Sequence, residues 1–320
     1  MLAGMKTLKV LAAGLGVVVM WASAFPAIRV AAPGLGVVGL SFVRLAVAAL
    51  VLLAVAPFAD VRPPERRHAL LLAAAAFFGM TAYQVLLNAG ELHVPAGPAS
   101  IVVASAPLVS VAIAALALGE RLTMAKLAGS VVAIAGVAVV CLSRSGASLT
   151  SALWIVVGAA VVQGIYHPLT KPLLRTRSAL EVATYTMVAG ALMALPLLPW
   201  GWHQLAGAPA SAWASALYLA LVPSALGFVL WGYAMANLPV ATSTSLLYLV
   251  PAVAVFIAFV WLGEIPHSGE LLGGLVVIAG VVLVTQGDRV RAHLRARSAS
   301  PADEPARPVL SPNQQAPEGL

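Results

Sequence analysis

Arg44 lies about nine residues into an apolar run that starts near residue 36, too deep for its guanidinium to reach water easily along the helix. A cation so placed has two uses. It offers paired N–H donors to a carboxylate on a solute or gating partner, or it ties helices together through carbonyls and neighbouring polar groups. Other polar and aromatic side chains interrupt the apolar runs at Trp21, Ser23 and Phe25, at Tyr83, Gln84 and Asn88, and at Ser224, Trp231, Tyr233 and Asn237. Amides and phenols in lipid-length helices need partners, so they line a polar cavity or glue helices. Trp21 and Phe25 line a vestibule, with Pro26 permitting a kink, or belong to an interfacial aromatic belt.

The stretch "QGIYHPLTKP" carries Gln163, Tyr166 and His167 just before Pro168. Proline lacks an N–H, so a helix broken there frees carbonyls for a cavity or a solute. His167 is either a carrier of a coupling proton or a hydrogen-bonded structural histidine. Lys171 is expected to snorkel at a helix end. Ser100, Thr244 and Tyr248 are candidates to hydrogen-bond a zwitterion, although Ser and Thr also bond their own helix carbonyls.

These groups need a scaffold, and composition names its solvent. Of 320 residues, 61% are hydrophobic and 9% charged, with a mean hydropathy of +0.98. No soluble core hides that fraction. The apolar residues come in blocks of roughly twenty, the length that crosses about 30 Å of hydrocarbon. Ten spans are expected, at 10–30, 36–58, 69–90, 96–118, 124–142, 151–171, 180–199, 212–235, 240–262 and 270–286, followed by a polar, disordered tail over 287–320.

The net charge of +7 invites nucleic acid as a partner, but the cations sit where orientation in a membrane would put them. With a cytoplasmic N-terminus, the inside segments hold Lys6, Lys9, Arg62, Arg66, Arg67, Arg121, Lys126, Arg175, Arg177 and the arginines after Gly287. The outside holds Arg144, with Arg29 near an outer helix end. Both termini are therefore expected in the cytoplasm, and no nucleic-acid partner is expected. Residues 5–24 also carry the marks of a signal peptide, ending in Ala22-Ser23-Ala24. Cleavage would leave nine spans and undo the charge bias, so the segment is read as a resident helix.

The two halves of the chain are related. "PLVSVAIAALALGE" begins at Pro107 and "PAVAVFIAFVWLGE" at Pro251, an offset of 144 that also separates Glu120 from Glu264. Val94–Val140 aligned without gaps on Leu238–Val284 gives 17 identities in 47 positions. Each copy holds five spans, an odd number, so the second sits upside down relative to the first. Inverted repeats are an architecture of secondary transporters, with a site near the midplane where the halves meet. The domains are accordingly 1–143 and 144–286. Gly129 and Gly136 match Gly273 and Gly280, and each pair, spaced near two turns, offers a smooth face for close packing.

"MWASAFPAIR", "FVRLAVAAL", the repeated Pro-to-LGE segment and "GGLVVIAGVVLV" together resemble the EamA-type branch of the drug/metabolite transporter superfamily over roughly residues 8–286. The resemblance implies an all-α membrane protein of ten helices in two inverted five-helix repeats, in the cytoplasmic (inner) membrane of a bacterium. It implies export of small metabolites, amino acids first, by alternating access, with helices one, three, four, six, eight and nine around the cavity. A drug or sugar-phosphate carrier is the alternative within the superfamily, and phosphate sites gather more cations than Arg44 and Lys171. A membrane enzyme or scaffold is the alternative outside it.

The remaining features are read as structural. Glu91, Glu120 and Glu264 end their helices and are taken as interfacial anchors, leaving no carboxylate in the middle of a span. Cys141 is the sole cysteine, so no internal disulfide or cysteine metal cluster forms. Gly34-Leu-Gly-Val-Val-Gly39 fits a dinucleotide motif, but its neighbours are spans rather than a strand and an amphipathic helix. Catalytic residues, metal and cofactor are all expected to be none. The expected partners are a small-molecule substrate and the lipid bilayer, with a homodimer open.

Overall fold

The computed structural model describes residues 2–117, 123–142, 147–238, 243, 246–280 and 282–283. Glu120, Thr244, Arg144, the side chain of Cys141 and the tail over 287–320 lie outside the described residues. Within them every regular element is helical. Lipid explains this, because a spanning backbone must satisfy its own N–H and C=O groups. Six helices are long and apolar enough to cross a bilayer: Leu8–Phe58, Arg66–Glu91, Ala96–Ile113, Ser151–Leu173, Ala179–Trp200 and Ala210–Asn237. Leu127–Gly136, Leu247–Leu262 and Ser268–Gly280 are shorter apolar helices.

Size is sorted by side. Ala22, Ala27, Ala31, Ala48, Ala75 and Ala99 are fully or almost fully buried, while Leu50, Leu70, Phe256 and Val260 point outward. Helices in lipid gain by packing small residues against each other and presenting large apolar ones to the acyl chains. Val10, Val17, Val18 and Ala22 belong to the buried core, so the stretch that ends in Ala22-Ser23-Ala24 packs within the bundle.

The first two expected spans are not separated by a loop. Two helices over Leu2–Val55 instead meet directly at a kink, whose one non-helical residue is Gly36, at φ 68° and ψ 167°. A leucine or valine there would be strained, and a Cβ would lie 1.6 Å from Gln204 Oε1. Gly34 and Gly39 likewise let Pro209, Ala212 and Leu205 approach. The glycines that mimic a dinucleotide motif are thus a turn packed under another turn.

Ion pairs mark the opposite end of the bundle. Arg62 donates from both its backbone N and its Nε to Glu181 Oε1, each at 3.0 Å, and Arg177 Nη2 donates to Glu65 Oε1 at 2.9 Å. Ser178 and Glu181 form a reciprocal cap that starts the Ala179–Ala194 helix. The hydrogen bond to Glu181 raises the Arg62 guanidinium above its ordinary value. Hydrogen bonding to Arg67 chiefly, with the positive charge of Arg67 and Arg177, holds Glu65 below the usual carboxylate range.

The glycine faces of the two halves meet each other. A Cβ on Gly136 would lie 2.6 Å from Val277 N and 2.8 Å from Gly273 O, and one on Gly280 would lie 2.4 Å from Ala133 N and 2.7 Å from Gly129 O. Each contact becomes the other when 144 is added or subtracted, so the crossing is self-complementary.

Candidate functional site

Two π-helical turns shape the centre of the bundle. One spans Phe77–Ala82 and the other Ala220–Leu226, again about 144 residues apart. Such turns widen a helix and shift its side chains, and they often occur at functional sites. In the first, Gly79 receives the ring of Tyr166, whose Cδ2 lies 2.1 Å from where a Cβ would be. In the second, Pro223 O accepts a hydrogen bond from Trp21 Nε1 at 3.0 Å, and Ser224 Oγ accepts one from Arg44 Nε at 2.8 Å.

Between them lies a cavity of about 610 Å³ counting its mouth, of which the centre of a water molecule can reach about 50 Å³. That suffices for a few waters, so a metabolite enters only if side chains move. Trp21, Phe25, Arg44, Tyr83, Ser100, Gln163 and His167 line it, all of them chosen from sequence. Phe228, Leu247 and Val250 belong to the same wall, as do Ala24 and Val103. Arg44 is almost fully buried, and its Nη1 has no hydrogen-bond partner in the protein, nor do Gln163 Oε1 or either ring nitrogen of His167. The lining is thus mostly apolar and aromatic with a few convergent polar groups, the usual make-up of a small-molecule site.

An aromatic cluster backs the cavity. The Trp21 ring sits 5.1 Å from Phe228 and 5.3 Å from Trp231, while His167 lies 5.3 Å from Trp231 and 5.6 Å from Tyr166. Trp231 and Tyr166 are therefore buried supports rather than lining residues. Tyr248 is buried outside the lining with its hydroxyl unpartnered, and Tyr233 is half-buried outside it. Asn88 glues helices, since its Nδ2 donates to Ser41 Oγ at 2.8 Å. Ser100 serves its own helix, donating to Gly97 O at 2.6 Å, while also facing the cavity. Thr244 falls outside the described residues.

Two expectations are corrected. Pro168 does not break its helix, which runs from Ala147 to Leu173 through both Pro168 and Pro172. The carbonyl that Pro168 leaves without its N–H partner belongs to Gly164, and Ser110 Oγ donates to it at 2.7 Å. A neighbouring helix, not a solute, satisfies it. Lys171, near the end of its helix, donates to the carbonyls of Met235 and Leu238. Glu91 is no interfacial anchor: it is fully buried and neither carboxylate oxygen has a hydrogen-bond partner in the protein. Helix numbering placed it at an edge, but Arg29 and Glu264 close over that edge.

Sequence reasoning missed Phe228, which carries no polar signal, and the π-helical turns. Pro223 hints at the second turn; nothing but Gly79 marks the first.

The profile of the EamA-like transporter family matches twice, over residues 8–142 and 150–286. The chain belongs to the EamA-like transporter family. Among relatives in the family's range, a protein of Streptantibioticus cattleyicolor named "Probable terminal-alkyne amino-acid exporter" is 55% identical over 84% of this chain and 91% of its own. A "Probable amino-acid metabolite efflux pump" of Salmonella typhimurium is 28% identical over 87% of this chain and 95% of its own. A crystal structure with 18% identity shares the fold at a TM-score of 0.63, covering 89% of this chain and 99% of that one. As an EamA-like protein, this chain is a multi-pass secondary transporter, and its cavity lies where helices of both family matches meet.

Proposed function

We propose that this chain exports α-amino acids with slim apolar side chains, and that Arg44 receives the substrate carboxylate. The observation that carries this reading is the buried Arg44 guanidinium at the cavity wall, fixed by Ser224 through Nε while Nη1 is left free of protein partners. An arginine so held offers its fork to a carboxylate without first breaking a contact of that group. Trp21, Phe25 and Phe228 then cover an apolar side chain, and Ser100 and Gln163 supply the remaining polar contacts. The name of the 55% identical relative points to the same class, because a terminal alkyne is narrow, linear and apolar.

Ten spans in two inverted halves, 1–143 and 144–286, carry this site through alternating access. The membrane is the inner membrane of a bacterium, with both termini inside. Charge supports that orientation: Arg62, Arg66, Arg67, Arg175 and Arg177 gather at one end of the bundle and Arg29 at the other. A sugar phosphate is disfavoured, since Arg44 is the single Arg or Lys among the described lining residues. The substrate crosses without a chemical step.

Mass spectrometry of the growth medium of expressing cells, against cells carrying Arg44→Gln at matched membrane levels, tests this. Amino acids with apolar side chains should accumulate outside only with the intact protein. Equal media with a cognate amino acid supplied would contradict the reading.

A further inference from the structure

Arg29 and Lys171 sit at opposite ends of the bundle and do the same thing. Arg29 Nη1 donates to Glu91 O at 2.6 Å and Leu92 O at 3.2 Å, where the Arg66–Glu91 helix ends. Lys171 Nζ donates to Met235 O, and to Leu238 O at 2.8 Å, where the Ala210–Asn237 helix ends. Adding 144 to Glu91 gives Met235, and 142 separates Arg29 from Lys171, so the repeat relates both the clamps and the helices they hold. The cation differs between the halves while the acceptor position is kept. What the halves share is the clamp, not the side chain.

Their ends of the bundle follow from the chain trace. Glu91 closes the helix that began beside the Arg62 and Glu65 ion pairs, so Arg29 holds the far end. Lys171 lies two residues before the end of its helix at Leu173, next to the segment in which Thr176, Arg177 and Glu181 bind Arg62 and Glu65. Each clamp also stands one turn beyond the cavity wall, since Phe25 precedes Arg29 by four residues and His167 precedes Lys171 by four.

Each clamp suits the dipole it touches. A cation at a helix C-terminus satisfies orphan carbonyls and the partial negative charge there. At the Arg29 end the contact extends across the halves: Arg29 Nε lies 3.6 Å from Glu264 Oε1, and Glu264 Oε2 accepts from Ala96 N at 3.0 Å, the start of the next helix. One cation thus joins two helix ends of the first half to Glu264 of the second.

We infer that Arg29 and Lys171 are the paired latches of the transport cycle, one for each face, and that each must release its helix end before that face opens. This rests on the alternating-access reading but not on the identity of the substrate. Both latches are engaged here, which fits the small water-reachable space of the cavity between them.

The test uses the full chain with Cys141→Ser and a single reporter cysteine on the cavity wall, Ala24→Cys or, independently, Val103→Cys. Labelling by a membrane-impermeant maleimide is followed from outside in whole cells and from inside in inverted vesicles. Arg29→Gln should raise labelling severalfold from the face that Arg29 guards and lower it from the other. Lys171→Gln should do the reverse, and Arg29→Lys should stay near the parent. A cation that merely stabilised the fold would not move the two faces in opposite directions. Both variants shifting the same way, or folded variants whose labelling stays within twofold of the parent at both faces, would overturn the inference. Loss of export with no opposite shift would also overturn it, while leaving the transporter reading in place.

Discussion

Arg44 Nε donates to Ser224 Oγ across 2.8 Å, joining two residues 180 apart in sequence. The bond holds the guanidinium at the cavity wall and leaves its Nη1 without a protein partner. Ser224→Ala should therefore loosen Arg44 without removing its charge, raising the apparent KM for an amino acid more than it lowers the maximal rate. Arg44→Gln should lose the charge-assisted contact, of order 1.5 to 3 kcal/mol, or roughly tenfold or more in transport. Initial rates in proteoliposomes check both.

Ser110 closes the gap that Pro168 leaves at Gly164 O. Ser110→Ala would strand a buried carbonyl, at a cost of about 1 to 3 kcal/mol. The expected result is a lower Tm in detergent with substrate affinity unchanged, read by a fluorescence melting curve.

His167 has two unpartnered ring nitrogens at the cavity wall. If it carries a coupling proton, His167→Gln gives transport whose rate hardly varies from pH 5.5 to 8, whereas the parent varies. Identical pH profiles of parent and variant would remove His167 from any coupling role.

Glu65 is held below the usual carboxylate range by Arg67, with help from Arg177. A depressed carboxyl contributes stability above its ordinary value of about 4.3 and loses it as pH falls through the lower folded value. The stability difference between the parent and Glu65→Gln should be level from pH 7 to about 5 and fade below about pH 4. It should also be small and salt-sensitive, because Glu65 and Arg67 are exposed. Melting curves across pH and salt measure it.

The scaffold was largely legible because lipid leaves few choices. Blocks of about twenty apolar residues can only become helices, and the 144-residue offset already paired Gly136 with Gly280. Their self-complementary crossing followed from small residues at two-turn spacing. What sequence hid was depth and bending. Glu91 read as an edge residue because its cover, Arg29 and Glu264, comes from elsewhere in the chain. Pro168 read as a break because only the fold reveals Ser110 beside Gly164.

The site was half legible for the same reason. Arg44, Gln163 and His167 stood out because polarity in an apolar run needs a cause. Tyr166 and Trp231 carried the same signal but support the wall from behind, Tyr166 with its ring against Gly79 of the first π-helical turn.

The most direct test of the central claim is counterflow in proteoliposomes loaded with an unlabelled terminal-alkyne α-amino acid, measured beside its amine analogue that lacks the carboxylate. Labelled amino acid should be taken up when driven by the amino acid inside and not when driven by the amine, and the difference should be lost in Arg44→Gln. Equal counterflow with the amine and the amino acid in the parent protein would contradict it.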